Sequence, residues 1–350
     1  MRKNVKKQLA LRVLSTAALV AMVSSIATAA FAAEYNVKDG SVEIVAKDGI
    51  QRITQWENKD NNLCVKDGEG KDIRDREDSD IILTTKNKDT GETETAHNTV
   101  TITAEEKGDT ANVTLKDVHI EVDTTKAKSG AIEIKGDGDT NLELNGDNTV
   151  LVKNGWEEEH AAIEKADAYG KGTLTIKDDV NDKGEEKTGT EADTTGKLLA
   201  GGYHGTAAIG GGYNDITDLS YANTSNITIK GGEITARGGY EDSAGIGGGT
   251  NGNAKNIRIE GNAHVTASGD GGAGIGGGTG GNDVTITGNA VVDAYSEYGS
   301  AIGDGRPWGG GDTTITISGN ATVHAEGKNG TTAIGSSQNG HHGNLTITIA

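Results

Sequence analysis

Tyrosines gather in the glycine-rich part of the chain and form the first candidate for a binding surface. Six of the eight tyrosines lie between residues 203 and 298. Tyr203 and Tyr240 each stand six residues before the isoleucine of a Gly-rich step, Ile209 and Ile246, which predicts equivalent positions on one edge of a repetitive structure. An exposed phenol ring suits stacking on a sugar ring. We therefore expect Tyr203, Tyr240 and Tyr298 to contact a glycan; the alternative is that they shield bends in bare glycine backbone.

A second candidate is the segment Gly-Arg-Pro-Trp-Gly, which begins at residue 305 and holds the only proline of the chain. Its Arg306 and Trp308 suit a ligand-binding loop. The alternative is a clamp that packs over the edge of the structure.

Two acids flank this loop, Asp304 and Asp312, and they are the candidate metal ligands. Carboxylate oxygens favour hard cations, and Ca²⁺ is the only cofactor that the acidic composition suggests. A solvated acidic face is the alternative.

Two other sequence features do not indicate a functional site. Gly272, Gly274 and Gly277 satisfy the G-x-G-x-x-G pattern of dinucleotide sites. A dinucleotide site has this pattern once, in the turn between a strand and a helix. Here related glycine steps recur along a helix-poor chain, which favours a structural role. The single Cys64 cannot form an internal disulfide. We predict no catalytic residues.

A repeated apolar-polar-apolar triplet predicts the elements that position these residues. Its last residues are separated by intervals of about 30, with a single interval of 53. The triplets are Val113–Leu115, Leu142–Leu144, Leu174–Ile176, Ile227–Ile229, Ile257–Ile259, Val284–Ile286, Ile315–Ile317 and Leu345–Ile347.

Two further elements follow in each repeat. A Gly-Asn bend and a second alternating strand begin at Gly261, Gly288 and Gly319, where we expect the asparagines to adopt the left-handed conformation and to stack as a ladder. A third short element centres on isoleucines such as Ile246 and Ile275. Such short strands cannot bury a face alone, whereas stacked copies can. The sequence therefore predicts an all-β, right-handed parallel β-helix with about three short strands per coil of roughly 30 residues.

Composition agrees with a narrow core. The only Phe and both Met lie within the first 33 residues, so the rest must bury Ile, Val, Leu and Ala. Five of the 33 cations also lie there, which leaves 28 cations against 52 acids afterwards, a net charge of −24. This charge excludes nucleic acid as a partner.

The chain divides into three parts. Residues 1–33 combine a cationic start, an apolar run and an Ala-Phe-Ala cleavage site at residues 30–32, which predicts a secretory signal peptide. Residues 34–107 predict an N-terminal cap with degenerate coils, including strands at 41–45, 81–83 and 100–103. Residues 108–350 are the repeats, with an inserted loop near 178–200, and we expect the chain to be a fragment truncated at its C-terminus. No transmembrane segment is predicted.

The coils SAGIGGG at 243–249 and GAGIGGG at 272–278 resemble repeats of secreted right-handed parallel β-helix proteins of bacteria. That family includes carbohydrate-binding and adhesin-like surface proteins. Residues 112–179 are similar to calcium-associated polysaccharide-binding β-helix domains of cellulose-degrading clostridia. The resemblance implies a secreted, non-catalytic protein, extracellular or attached to the cell surface, that binds a polysaccharide or a host glycan, or acts as an adhesin.

Two alternatives stay open. β-Helix polysaccharide lyases pair Ca²⁺-binding acids with a basic residue, and Asp304, Arg306 and Asp312 fit that arrangement loosely; a lyase or glycoside hydrolase is therefore the second interpretation. The third is an ice-binding-like face, suggested by outward threonines in one strand row that Glu143 and Arg258 interrupt.

Overall fold

A computed structural model describes residues 33–154, 159–179, 196–213, 218–278, 280, 282–305, 311–336 and 344–350. The predicted signal peptide at residues 1–33 therefore lies, apart from Ala33, outside the described residues. Residues 34–350 form one compact unit. Among the described residues, no helix has the length and apolar content that a bilayer crossing requires.

Short strands dominate this unit. In chain order the first are β1 Glu34–Asn36, β2 Ser41–Lys47, β3 Ile50–Asn58, β4 Leu63–Cys64, β5 Arg76–Glu77, β6 Ile81–Thr84, β7 Val100–Ala104, β8 Thr110–Lys116, β9 His119–Asp123 and β10 Ile132–Lys135. They continue as β11 Asp139–Asn145, β12 Asp147–Lys153, β13 Ile163–Glu164, β14 Leu174–Lys177, β15 Lys197–Gly201, β16 Ile209–Gly210, β17 Thr224–Ile229, β18 Glu233–Arg237, β19 Ile246–Gly247 and β20 Ala254–Ile259. The last are β21 His264–Gly269, β22 Ile275–Gly276, β23 Asp283–Ile286, β24 Val291–Ser296, β25 Ile302–Gly303, β26 Thr313–Ile317, β27 Thr322–Gly327, β28 Ile334–Gly335 and β29 Leu345–Ile349. One α-helical turn, α1 Thr124–Ala127, and two 3₁₀ turns, Val37–Asp39 and Asp167–Tyr169, complete the described elements.

These strands stack into three parallel sheets, as predicted. Sheet 1 runs β1-β6-β8-β11-β14-β17-β20-β23-β26-β29 and sheet 2 runs β9-β12-β15-β18-β21-β24-β27. Sheet 3 runs from β28 through β25, β22, β19, β16, β13, β10 and β7 to β2. The chain visits sheets 1, 2 and 3 in turn, with about 31 residues per coil. The molecule is therefore a parallel β-helix.

The core consists of apolar side chains that repeat from coil to coil. In sheet 3, Ile246, Ile275 and Ile302 are paired neighbours, and each is completely buried. Complete burial of one isoleucine side chain contributes about 1.5–3 kcal/mol. Stacked branched aliphatic and alanine side chains fill the interior of such short-stranded coils, which agrees with the absence of Phe and Met after residue 33.

The N-terminal end of sheet 3 is closed by reversed strands. β2 pairs in parallel with β7 on one side and antiparallel with β3 on the other. Asp48 and Gly49, both at positive φ, form the hairpin turn. β4 and β5 then pair antiparallel with β3. The strands predicted at 41–45, 81–83 and 100–103 are present as β2, β6 and β7.

Stacking of the repeated triplets predicts that equivalent positions pair, and this register was wrong at two places. Thr140, and not Leu142, pairs with Leu174, and Thr313, and not Ile315, pairs with Leu345. A shift of two residues keeps every side chain on the same face of a strand, so alternation alone cannot detect it.

The outward row of sheet 1 is therefore less uniform in threonine than the sequence predicted. The outward row reads Asn112, Asn141, Thr175, Thr228, Arg258, Thr285, Thr316 and Thr348.

The 53-residue interval is a single long coil, because Ile176 pairs directly with Ile229. The predicted loop near 178–200 was too long at its end, since Lys197–Gly201 forms β15 and pairs with β12 and β18. Residues 180–195 of that loop lie outside the described residues.

The asparagine ladder at the bend between sheets 1 and 2 is confirmed. Asn289 Nδ2 donates to Asn262 Oδ1 at 3.1 Å, and Asn320 Nδ2 donates to Asn289 Oδ1 at 3.2 Å. The predicted left-handed asparagines were wrong, because the positive φ falls on the preceding glycines, for example +72° at Gly288. A glycine adopts this φ without a Cβ clash, which leaves the asparagine amide free to stack.

Candidate functional site

The corner between sheets 2 and 3, called corner 2–3 below, brings the first two predicted tyrosines together. It comprises the segments that connect β12 to β13, β15 to β16, β18 to β19, and their equivalents in the other coils. The rings of Tyr203 and Tyr240 meet edge to face, with 5.4 Å between centroids. Tyr240 is 44% exposed, the outermost ring of the pair. The predicted common edge of Tyr203 and Tyr240 is therefore confirmed.

Backbone contacts fix the two tyrosines in place. Gly205 N donates to Tyr240 O at 2.9 Å, and Gly239 N donates to Thr206 O at 3.0 Å. A Cβ on Gly239 would lie 1.8 Å from Tyr203 O. Only glycine permits this approach, so the glycines of corner 2–3 hold adjacent coils close enough for the rings to touch.

His204 packs behind Tyr240 and joins two carboxylates. The imidazole lies edge to face against Tyr240, with 4.9 Å between centroids. Its Nδ1 lies 2.6 Å from Glu159 Oε1, and its Nε2 lies 2.9 Å from Glu241 Oε1. Glu159, His204 and Glu241 belong to three successive coils. A polar chain therefore crosses the coils behind the aromatic pair.

The two ends of the polar chain, Glu159 and Glu241, differ in solvent exposure. Burial of Glu159 raises the pKa of its carboxyl to about 7, against the lowering effect of the His204 hydrogen bond. Neither Glu159 Oε2 nor Thr250 Oγ1 has a hydrogen-bond partner among the described residues. A Cβ on Gly205 would lie 2.8 Å from the first of these oxygens and 3.1 Å from the second. The Glu241 side chain, in contrast, is 51% exposed and can bind an external hydroxyl.

The Tyr240 phenol is also polarised by its surroundings. A hydrogen bond with Tyr203, followed by burial and the negative charges of Glu159 and Glu241, raises the pKa of Tyr240 to about 12. The phenol is protonated at neutral pH, and its oxygen can still accept a hydrogen bond at the surface.

Corner 2–3 continues in both directions from this pair. Tyr298 is 43% exposed and its backbone N donates to Asp270 O at 2.8 Å. Glu241 N in turn donates to Asp270 Oδ2 at 3.0 Å. Tyr298 thus lies two coils beyond Tyr240, about 10 Å along the axis, and the structure separates it from the Tyr203–Tyr240 pair.

On the N-terminal side, corner 2–3 contains a groove of about 500 Å³. Among its lining residues are His97, Thr99, Asp123, Lys126 and Lys153. Lys153 ends β12, so the groove reaches the coil that precedes Tyr203.

The remaining predicted site residues lie elsewhere. Arg306 and Trp308 are outside the described residues. Asp304 is buried, and its Oδ1 accepts from Asn282 Nδ2 at 2.7 Å and from Thr313 Oγ1 at 2.6 Å. Asp312 Oδ1 accepts from Asn344 N at 2.7 Å. Both carboxylates join neighbouring coils, and the Ca²⁺ site at these acids stays a prediction.

Sequence reasoning missed the polar chain behind the tyrosines. His204 and Glu241 directly follow Tyr203 and Tyr240, so equivalent positions in two coils offered a signal for that pair. Glu159 offered none, because 45 residues separate it from His204 and the connecting segments differ in length.

A second cluster of charged side chains lies next to the polar chain of Glu159, His204 and Glu241. His160 Nδ1 is 2.7 Å from Glu164 Oε2, and Lys135 Nζ is 2.8 Å from Glu133 Oε2. Ligand atoms of Glu133, His160 and Glu164 all lie within 4.8 Å of one another. These three residues are the only group of this kind among the described residues.

Comparison with protein families agrees with the fold. The model of the β-helix repeat matches residues 227–250 and 257–279, two successive coils that include Tyr240 and Glu241. Neither the curated proteins nor the solved structures gave a match. The repeat match and the three parallel sheets identify the chain as a parallel β-helix protein.

Proposed function

We propose that this chain is an exported, non-catalytic protein that binds polysaccharide along corner 2–3. The observation that carries the proposal is the Tyr240 ring, which is exposed yet held by Tyr203 and His204 on a rigid stack of coils. Export rests on the signal-peptide pattern of residues 1–33. The resemblance to carbohydrate-binding β-helix proteins supports the same assignment.

A pre-positioned ring of this kind suits a sugar. The apolar face of a pyranose stacks on a phenol ring, and little conformational entropy is lost because Tyr240 is already packed on two neighbours. The exposed carboxylate of Glu241 and the Tyr240 hydroxyl oxygen supply acceptors for sugar hydroxyls at the rim of the ring.

The regular spacing of the coils suits a polymer rather than a small sugar. Tyr298 lies two coils beyond Tyr240, and the groove with Lys126 and Lys153 lies on the opposite side of the pair. A polysaccharide that follows corner 2–3 would contact the groove, the Tyr203–Tyr240 pair and Tyr298 in succession. Weak contacts that repeat along one polymer add up to useful affinity.

Two carboxylates with different environments also occur in glycosidases, so the arrangement of Glu159 and Glu241 bears on the alternative of a hydrolase. In inverting enzymes, substrate and water occupy the space between the two carboxyl groups. Here the His204 imidazole bonds to both carboxylates and fills that space. This geometry favours binding over hydrolysis at corner 2–3.

Substitution of Tyr240 tests the proposal. Tyr240→Ala removes the exposed ring, and we expect about 10-fold weaker retention on an insoluble polysaccharide that holds the wild type, since an aromatic contact contributes about 1.5 kcal/mol. Tyr295→Ala is the matched control, because Tyr295 lies on the outer face of sheet 2 in β24, against His324.

A depletion assay over a panel of cellulose, xylan, chitin and pectin measures both variants. Equal loss in the two variants, or no loss in Tyr240→Ala, would refute the role of corner 2–3.

A further inference from the structure

Two glutamates occupy a position of sheet 3 that the later coils fill with glycine. Glu133 and Glu164 are paired neighbours in β10 and β13. Glu164 pairs with Gly210, which pairs with Gly247 in the following coil. The same fold therefore continues with no side chain at this position. The fold itself does not require the two carboxylates.

Placing these carboxylates together is costly. Glu133 is 5% exposed and Glu164 is 1% exposed, and paired positions in a parallel sheet are about 4.8 Å apart. Like charges at this separation repel each other, and burial removes the water that would screen them. Positive charge close to the pair would relieve this repulsion.

The nearby cations compensate the pair only in part. Lys135 contacts Glu133 at 2.8 Å, but its ammonium also lies over the Tyr169 ring, 4.7 Å from the centroid. His160 contacts Glu164 at 2.7 Å, and an imidazole carries a charge only when it is protonated. A bound cation would compensate both carboxylates at once.

The three side chains match the coordination of zinc. Their ligand atoms lie within 4.8 Å of one another, whereas donors around a tetrahedral Zn²⁺ stand about 3.4 Å apart. His160 Nδ1 and Glu164 Oε2 are already 2.7 Å apart, so binding of the ion requires side-chain rotations that separate these two atoms and bring Glu133 closer. One imidazole with two carboxylates is a donor set that Zn²⁺ accepts, with the fourth position left to water. Ca²⁺ instead takes six to eight oxygen ligands and fits this set poorly.

We propose that Glu133, His160 and Glu164 bind one Zn²⁺ ion at the outer face of sheet 3. Glu133 and Glu164 come from adjacent coils, and His160 lies in the segment that leads into β13. The ion would therefore join two coils next to the polar chain of Glu159 and His204. The His160 side chain is 14% exposed, which gives the ion a path from solvent.

Calorimetric titration of the full chain with ZnCl₂ tests this site. We expect one ion per chain for the wild type. His160→Asn and Glu164→Gln each remove a ligand, and we expect at least about 100-fold weaker binding, because even partners outside the coordination shell contribute 10–100-fold. His264→Asn is the matched control, since His264 is an exposed residue of β21, and it should bind like the wild type.

Two further measurements make the outcome decisive. Circular dichroism checks that each variant is folded; should Glu164→Gln fail, the partly exposed His160 variant carries the test. His204→Asn removes the imidazole of the neighbouring polar chain, which contributes no ligand to the proposed zinc site. Weakened zinc binding in His160→Asn with retained binding in His204→Asn supports the proposal. Absence of zinc binding by the wild type, or unchanged binding by His160→Asn, would overturn it.

Discussion

Gly247→Ala gives a direct test of how tightly the coils of sheet 3 are stacked. Gly247 has φ +137° and a Cβ built on it would lie 1.6 Å from Gly276 O in the next coil. That conformation costs a residue with a side chain about 1–3 kcal/mol. Relief of the clash also separates the coils where Gly248 N donates to Gly276 O at 3.0 Å and Ile246 N donates to Gly274 O at 3.0 Å.

Loss of two such hydrogen bonds costs about 2 kcal/mol. We therefore expect Gly247→Ala to lower the free energy of unfolding by about 3–5 kcal/mol. Gly49→Ala is the matched control. Gly49 also has positive φ, +75°, but nothing lies within 4 Å of its Cβ position. Its substitution should cost only the left-handed conformation, about 1–2 kcal/mol.

Urea unfolding followed by circular dichroism compares the two variants. Coils interact mainly with their neighbours, so the effect should also be local. Hydrogen exchange should therefore quicken in peptides that contain residues 245–249 and 274–278 and stay unchanged around β2. Equal stability of Gly247→Ala and Gly49→Ala would refute the close stacking described above.

Three other substitutions probe the core, the ladder and the site. Ile275→Ala deletes a fully buried side chain of sheet 3 and should cost about 2–5 kcal/mol in urea unfolding; a smaller loss would mean that the coils collapse around the cavity. Asn289→Ala interrupts the exposed amide ladder and should cost about 1 kcal/mol in the same assay, with no change if water replaces the ladder. Tyr203→Phe removes the hydrogen bond that raises the pKa of Tyr240 to about 12. Ultraviolet titration should then show one phenol ionising nearer to 10, and an identical titration curve would contradict the contact.

The periodicity of the sequence was enough to predict the architecture of three stacked parallel sheets. The recurring triplets and Gly-rich steps, such as Ile227–Ile229 and Ile246–Gly247, marked which sheet each segment joins, because each coil repeats the same buried positions. The pairing of Asn289 with two other amides followed from the same repeat.

Register was harder to predict. Leu142 and Leu144 alternate with polar residues in the same way as Thr140 and Leu142, and a slip of two residues preserves the buried face. Only hydrogen bonds between neighbouring coils decide between the two registers.

The site was predictable where it repeats and unpredictable where it does not. Tyr203 and Tyr240 precede equivalent isoleucines, so their common edge followed from spacing. Glu159 and His160 lie in a connecting segment without a repeated pattern, and their partners are fixed by how the coils stack. The contacts with His204 and Glu164 therefore depend on tertiary structure.

The most direct test of the proposed function incubates the wild-type chain with the insoluble polysaccharide panel and assays both phases of one reaction. Bound protein is measured in the pellet, and reducing ends and unsaturated uronates are measured in the supernatant. We predict retention on at least one polysaccharide with no release of soluble products. Release of either product, or absence from every pellet, would contradict a non-catalytic polysaccharide-binding role.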